Sequence, residues 1–271
     1  MGRCLLLFAV LVAVAAGCST SNPQQAKPAK ARPAEYSVRL QSTAPPPTCP
    51  KLSHAARLPY RPGGGRLRGD VDGDGRLDRV SIRYAPASPA SCGIVLVVET
   101  RARVLALRVA WEYKTAGTAR ARDVWTPEPF LAAIVQLDPR RSQIVVARDH
   151  GAANASVSFV GLVEGKLAFL PFRPREYLDE LSLFGSVGTG VTNARCRCGG
   201  PLVVLGIGPM SYSGKRWYFS RTEYRLASGQ LHKTSSSTTK AARAKVYSIA
   251  KEHGMEALPF TGCVIARGRR L

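Results

Sequence analysis

Gly69-Asp70-Val71-Asp72-Gly73-Asp74-Gly75-Arg76-Leu77-Asp78, running almost directly into Val80-Ser81-Ile82-Arg83-Tyr84, is the most informative stretch of this 271-residue chain. Four carboxylates are packed into a short loop with two glycines. Gly73 and Gly75 permit the positive φ that lets a chain curl round an ion. Calcium takes about six to eight hard oxygen ligands, which alternate carboxylates and a backbone carbonyl can supply. The pattern therefore predicts a structural calcium site formed by Asp70, Asp72, Asp74 and Asp78, with the carbonyl of Arg76 as a neutral ligand. Without a cation the carboxylates repel one another. The competing expectation is a plain Asp/Gly turn whose charge is offset by Arg66, Arg68, Arg76 and Arg79. The loop is not a complete EF-hand: Ser81 stands where the bidentate Glu belongs, and a β-rich run follows in place of a helix.

That β-rich run opens the first of three similar segments. The first has Val80 to Tyr84, Ile94 to Thr100 and Val104 to Val109. The second has Ile144 to Ala147, Val157 to Val163 and Leu167 to Leu170. The third has Leu202 to Ile207, Trp217 to Leu226 and a weaker run at Leu231. Glu164-Gly165 and Ser228-Gly229 are short hairpin turns between runs. Strict alternation is clearest from Tyr218 to Arg225. The expected fold is mainly β, built from repeated antiparallel meander units. It is either a partial, propeller-like arrangement, since closed propellers typically use about four to eight blades, or a sandwich. One C-terminal helix is expected near 241–253, with Val246, Ile249 and Ala250 on one face and Gly254 as its stop.

The second unit carries a trace of the same loop. In Gln136-Leu137-Asp138-Pro139-Arg140-Arg141-Ser142-Gln143, Asp138 aligns with Asp72, one residue is missing, and Arg140 and Gln143 stand for Asp74 and Asp78. Its ligands are lost, so an ion is expected only in the first loop. The pattern D-x-D-G-D-G-x-x-D before a β-run, paired with a degenerate copy, resembles the FG-GAP or VCBS-type repeats of secreted proteins, and in particular uncharacterised actinobacterial-type domains. The resemblance spans roughly residues 66 to 235. It implies a β-repeat fold and an extracytoplasmic setting, and it implies no catalytic residues.

The N-terminus carries the address. Arg3 precedes an unbroken apolar run from Leu5 to Ala16, shorter than the roughly 20 residues a membrane-spanning helix needs and suited to a signal peptide. Ala15-Ala16-Gly17-Cys18 resembles a bacterial lipobox, in which the Cys thiol is acylated. Residues 1–17 are thus expected to be a signal peptide. Residues 18–48 are a lipid-anchored, Pro-rich linker that holds too little apolar surface to fold, and 49–271 are the β-repeat domain with its C-terminal helix. Cleavage after Ala15, giving a freely secreted protein, is the alternative.

Once Cys4 leaves with the signal and Cys18 is acylated, Cys49, Cys92, Cys196, Cys198 and Cys263 remain. An oxidising compartment makes disulfides the default, and two bridges with one free thiol fit this number. Connectivity is not derivable from sequence; a Cys196–Cys198 bridge would be strained, so separate partners are expected. Cys196 and Cys198 lack the further ligands zinc needs.

Catalytic signatures are weak. Asp149-His150 has no recognisable nucleophile partner, and Glu176, Asp179 and Glu180 fit a solvated short helix better than a glycosidase pair. Gly185 to Gly190 lacks the Lys of a phosphate loop. The net charge of +21 permits contact with anionic lipid or an anionic envelope polymer. No specific nucleic-acid partner is expected, because aromatics are only 7% of the chain and form no stacking platform; Arg267, Arg269 and Arg270 form a short basic tail. The expected function is a membrane-anchored binding or scaffold module. A cell-envelope hydrolase, with Asp149, His150, Glu176 and Asp179 as first suspects, and a polyanion-binding envelope protein are the alternatives.

Overall fold

The polar turns and β-branched runs resolve into antiparallel hairpins. In the computed structural model, residues 48–86, 88, 90–109, 129–150, 154–174, 181–184, 190–210 and 215–268 are described. The expected signal peptide, Cys18 and nearly all the expected linker lie outside them, as do Glu176, Asp179, Glu180, 185–189, Arg269 and Arg270. The first unit is a four-stranded meander of β1 (Arg66–Gly69), β2 (Asp78–Tyr84), β3 (Ile94–Glu99) and β4 (Val104–Arg108). The second repeats it with β5 (Phe130–Val135), β6 (Gln143–His150), β7 (Asn154–Val163) and β8 (Lys166–Phe169), each paired with the next. After β9 (Phe172–Arg173) and β10 (Leu181–Phe184), the third unit follows as β11 (Val191–Cys196), β12 (Leu202–Pro209), β13 (Trp217–Ala227) and β14 (Gln230–Ala241). The helix Arg243–Glu252 and β15 (Val264–Arg267) close the chain.

The fold is mainly β and built from meander units, as expected. Each unit has one more strand than the sequence showed: β1, β5 and β11 precede the runs read there. The units are not separate blades. β10 bridges β7 and β11, so the second and third units share an 11-stranded sheet, while the first stands alone as a 4-stranded one. No closed barrel forms among the described residues, and the arrangement is sandwich-like. The helix begins at Arg243 because Ala241 still pairs with Trp217 in the sheet.

Packing explains the composition of the strands. Val80, Ile82, Leu96 and Val98 on one face of the first sheet meet Leu131, Ile134, Ile144 and Val146 of the second. The opposite faces of β5 to β7 bury Ala133, Val135, Val145, Val157 and Phe159 against Phe172, Phe260 and Leu202. Being covered on both sides, β5 is buried at every position and reads as a continuous apolar run rather than an alternating one. Trp217, Phe219, Leu205 and Ile207 receive Val246 and Ala250 of the helix; Ile249 packs beside them.

Two disulfides tie the ends down. Cys49–Cys92 fastens the segment before β1 to the turn before β3, and Cys196–Cys263 fastens β11 to the chain entering β15. Cys198 is the remaining, exposed thiol. Such bridges belong to an oxidising compartment outside the cytoplasm. No helix among the described residues is long and apolar enough to cross a membrane.

The two sheets meet closely at Gly69, where an added Cβ would lie 2.5 Å from Ile134 Cγ2. Gly69→Ala is expected to lower stability by about 1–3 kcal/mol through overpacking, read as a shifted denaturation midpoint with an unchanged slope. A neutral substitution would mean that the sheets are not held this closely.

Candidate metal-binding loop

Residues 70–77 form the turn of the β1–β2 hairpin, whose last pair is Gly69 with Asp78. Asp78 is 4% exposed, and its Oδ2 accepts the N–H of Val71 at 2.8 Å and of Asp72 at 3.3 Å. Asp70 accepts the N–H of Gly73 at 2.8 Å and of Gly75 at 2.9 Å, one on each oxygen. Asp72 Oδ1 accepts the N–H of Asp74 at 3.2 Å. Gly73 and Gly75 have φ of 85° and 81°, values a side chain rarely adopts.

The loop gathers Asp70, Asp72 and Asp78, with one ligand atom of each lying within 4.8 Å of the others. Asp74 stands outside this group; its Oδ1 accepts the N–H of Arg76 at 2.8 Å. Oxygens about 2.3–2.6 Å from a calcium ion lie no more than about 5 Å apart, so this spacing fits such an ion. The hydrogen bonds above leave lone pairs over, because a carboxylate offers about four acceptor sites. Asp72 Oδ2 and Asp78 Oδ1 accept no hydrogen bond.

The local charge is not balanced by arginine. No ion pair joins Arg66, Arg68, Arg76 or Arg79 to these aspartates. Burial pushes the Asp78 carboxyl above the ordinary value, with Asp72 and Asp70 adding to the rise and the N–H groups of Val71 and Asp72 opposing it.

The degenerate loop has the same construction with a neutral side chain at the buried position. The β5–β6 hairpin ends on Val135 with Gln143. Gln143 Oε1 accepts the N–H of Leu137 at 2.7 Å, as Asp78 does that of Val71. Asp138 Oδ1 accepts the N–H of Arg140 at 2.8 Å, as Asp72 does that of Asp74. The two loops also touch: Ser142 N–H donates to the Asp70 carbonyl at 2.6 Å, and a Cβ on Gly73 would lie 3.0 Å from Arg141 Cγ. The first hairpin turn of the third unit joins the row, with Gly199 N–H on the Gln136 carbonyl at 2.8 Å. Sequence reading found the equivalence of these first two loops and missed their contact, which no local signal carries.

Among the described residues, no second cluster of metal-ligating side chains forms. Asp149 and His150 end β6, and their side chains lie outside what the structure describes. His253 stacks on Phe219 at 5.0 Å between ring centres, and Arg267 donates to the Pro259 carbonyl. No family model, curated protein or solved structure matches the chain.

Because the folded state raises the Asp78 pKa, metal-free folded protein holds that proton more tightly than unfolded protein. The stability tied to this group falls as pH rises from the ordinary Asp range through the raised value, and the cost persists above it. Asp78→Asn keeps an acceptor for Val71 and copies Gln143. In metal-free solution it is expected to be at least as stable as wild type at pH 7 and to lose that advantage in acid. Asp78→Ala, which strands the buried Val71 N–H, should lose about 1–3 kcal/mol. Denaturant titrations across pH check both. An Asn variant weaker than wild type at pH 7 in metal-free buffer would contradict the assignment.

Proposed function

We propose that this chain is a lipid-anchored, extracytoplasmic binding module whose β-repeat domain is pinned by a structural calcium ion in residues 70–78. The observation that supports it most is the convergence of Asp70, Asp72 and Asp78 with no arginine partner. In this proposal the Arg76 carbonyl completes the ligand set and Asp74 swings in from its turn. A cation there would reverse the electrostatics of Asp78, favouring the carboxylate that burial opposes. The likeness of the loop and its degenerate twin to FG-GAP or VCBS-type repeats points the same way. Calcium would act on structure, fixing the turn that joins the first two strands.

Cys18 is the proposed acylated residue. Acyl chains add roughly 0.8 kcal/mol per buried CH₂, so several together hold a protein at a bilayer without a spanning helix. The membrane is thus one partner through the lipid; an anionic envelope polymer or a protein is the other. The excess of Lys and Arg supports an anionic one.

Thermal unfolding with calcium and with chelator tests the metal. At calcium about 100-fold above Kd, mass action adds about 2.7 kcal/mol, which for a domain of this size raises the midpoint by roughly 5–10 °C. Equal midpoints together with a silent calorimetric titration would remove the ion. Mass spectrometry of the mature N-terminus tests the anchor; an unmodified chain beginning at Ala16 would replace it with free secretion.

A further inference from the structure

Beside the loop, on the face of the first sheet that looks away from the core, lies a groove of ≈ 420 Å³ lined by Tyr60, Arg66, Arg68, Arg79, Ser81 and Glu99. We propose that this groove binds phosphate-bearing polyanions, with Arg66, Arg68 and Arg79 as the recognising groups. The inference deepens the binding-module proposal and rests on it, but it does not depend on calcium.

The hairpin register makes the groove. Arg66 pairs with Ser81 and Arg68 with Arg79 across β1 and β2, so all three arginines project from one face. Two like charges directly opposite each other in a sheet cost stability. The obvious relief fails here: Arg79 also sits opposite Glu99 across β2 and β3, yet makes no ion pair with it. Glu99 is spent on Arg83, which it meets at 2.7 Å with a side chain only 7% exposed. Arg83 further donates to the carbonyls of Ala56 and Leu58 and to the hydroxyl of Tyr60. That leaves the groove with three cationic groups and, among the described residues that line it, no free acid to balance them.

The site is also held in shape. The Arg66 guanidinium lies 3.5 Å from the Tyr60 ring centre and that of Arg83 lies 4.0 Å from it. Stacking fixes the plane of Arg66 and leaves its N–H edge to bind. Ser81, 4% exposed, forms part of the lining. A single guanidinium satisfies a planar carboxylate, whereas a tetrahedral phosphate offers oxygens in several directions and can bridge two. Arg66 and Arg68 are one strand repeat apart, roughly 6.6 Å, so the row accommodates successive phosphates. An anion bridging Arg68 and Arg79 offsets the repulsion between these two cross-strand neighbours.

Calorimetric titration of the full chain with inorganic tripolyphosphate, in low-salt buffer freed of metal on a chelating resin, tests this. Binding is expected, weakening as salt rises. Arg68→Ala/Arg79→Ala should weaken it roughly tenfold or more while leaving the thermal midpoint equal or higher. Arg68→Lys/Arg79→Lys should fall between, keeping charge but losing the fork. Arg225→Ala/Lys245→Ala, which removes the same charge elsewhere, should bind as wild type. No binding, equal weakening by both alanine pairs, or a lowered midpoint in Arg68→Ala/Arg79→Ala would overturn the proposal. Competition by phosphatidylglycerol vesicles would assign the phosphate to lipid headgroups, and its absence to a soluble phosphate polymer. Because the titration is metal-free, its failure is separate from failure of the calcium site.

Discussion

The structure hangs on one buried hydrogen bond, made twice. The side chain that opens the second strand of a unit accepts the backbone N–H two residues past the end of the first strand. Asp78 does this for Val71 and Gln143 does it for Leu137. Both acceptors and both apolar residues are buried, so an unmade bond would strand a polar group in the interior. The bond fixes each hairpin's register, and register decides which face each residue occupies. A slip of one residue would carry Val80 and Ile82 out of the core and bring Arg79 into it.

From that register follow both the cohesion of the sheets and the chemistry at the surface. The first turns of the three units lie in series, linked by backbone bonds from Ser142 to Asp70 and from Gly199 to Gln136. The first two turns differ mainly in charge. The second is neutral at the buried position and needs nothing further. The first keeps a buried carboxylate with two acidic neighbours, a construction that costs stability unless a cation is bound. A neutral solution exists one unit away, so the charged version is not required by the fold.

Much of this was legible in the chain because it is local. The Asp/Gly spacing showed the loop, Asp138 and Gln143 showed its degenerate copy, and alternation from Tyr218 to Arg225 showed a half-exposed strand. The first strand of every unit was missed for three different reasons. Arg66–Gly69 carries two arginines and a glycine in four residues and reads as polar turn. Phe130–Val135 is buried on both faces and has no period. Val191–Cys196 mixes Asn and Arg with small residues, and its Asn193 is buried because its amide donates to the carbonyls of Met255 and Ala257. Likewise β14 runs through Thr234 to Thr239, a polar stretch held by pairing to β13 rather than by burial. The disulfide partners, the bridge through β10 and the Arg83–Glu99 pair join residues far apart in sequence, and no local pattern encodes them.

The most direct measurement is amide hydrogen exchange at Val71 and Leu137, with and without calcium. Both amides should be protected to the level of the sheets in metal-free protein. Calcium should then slow exchange through residues 71–76 and leave 137–141 unchanged. Val71 exchanging as freely as an unfolded chain while Leu137 stays protected, or calcium acting on both turns alike, would contradict the shared construction and the distinct charge assigned to the first loop.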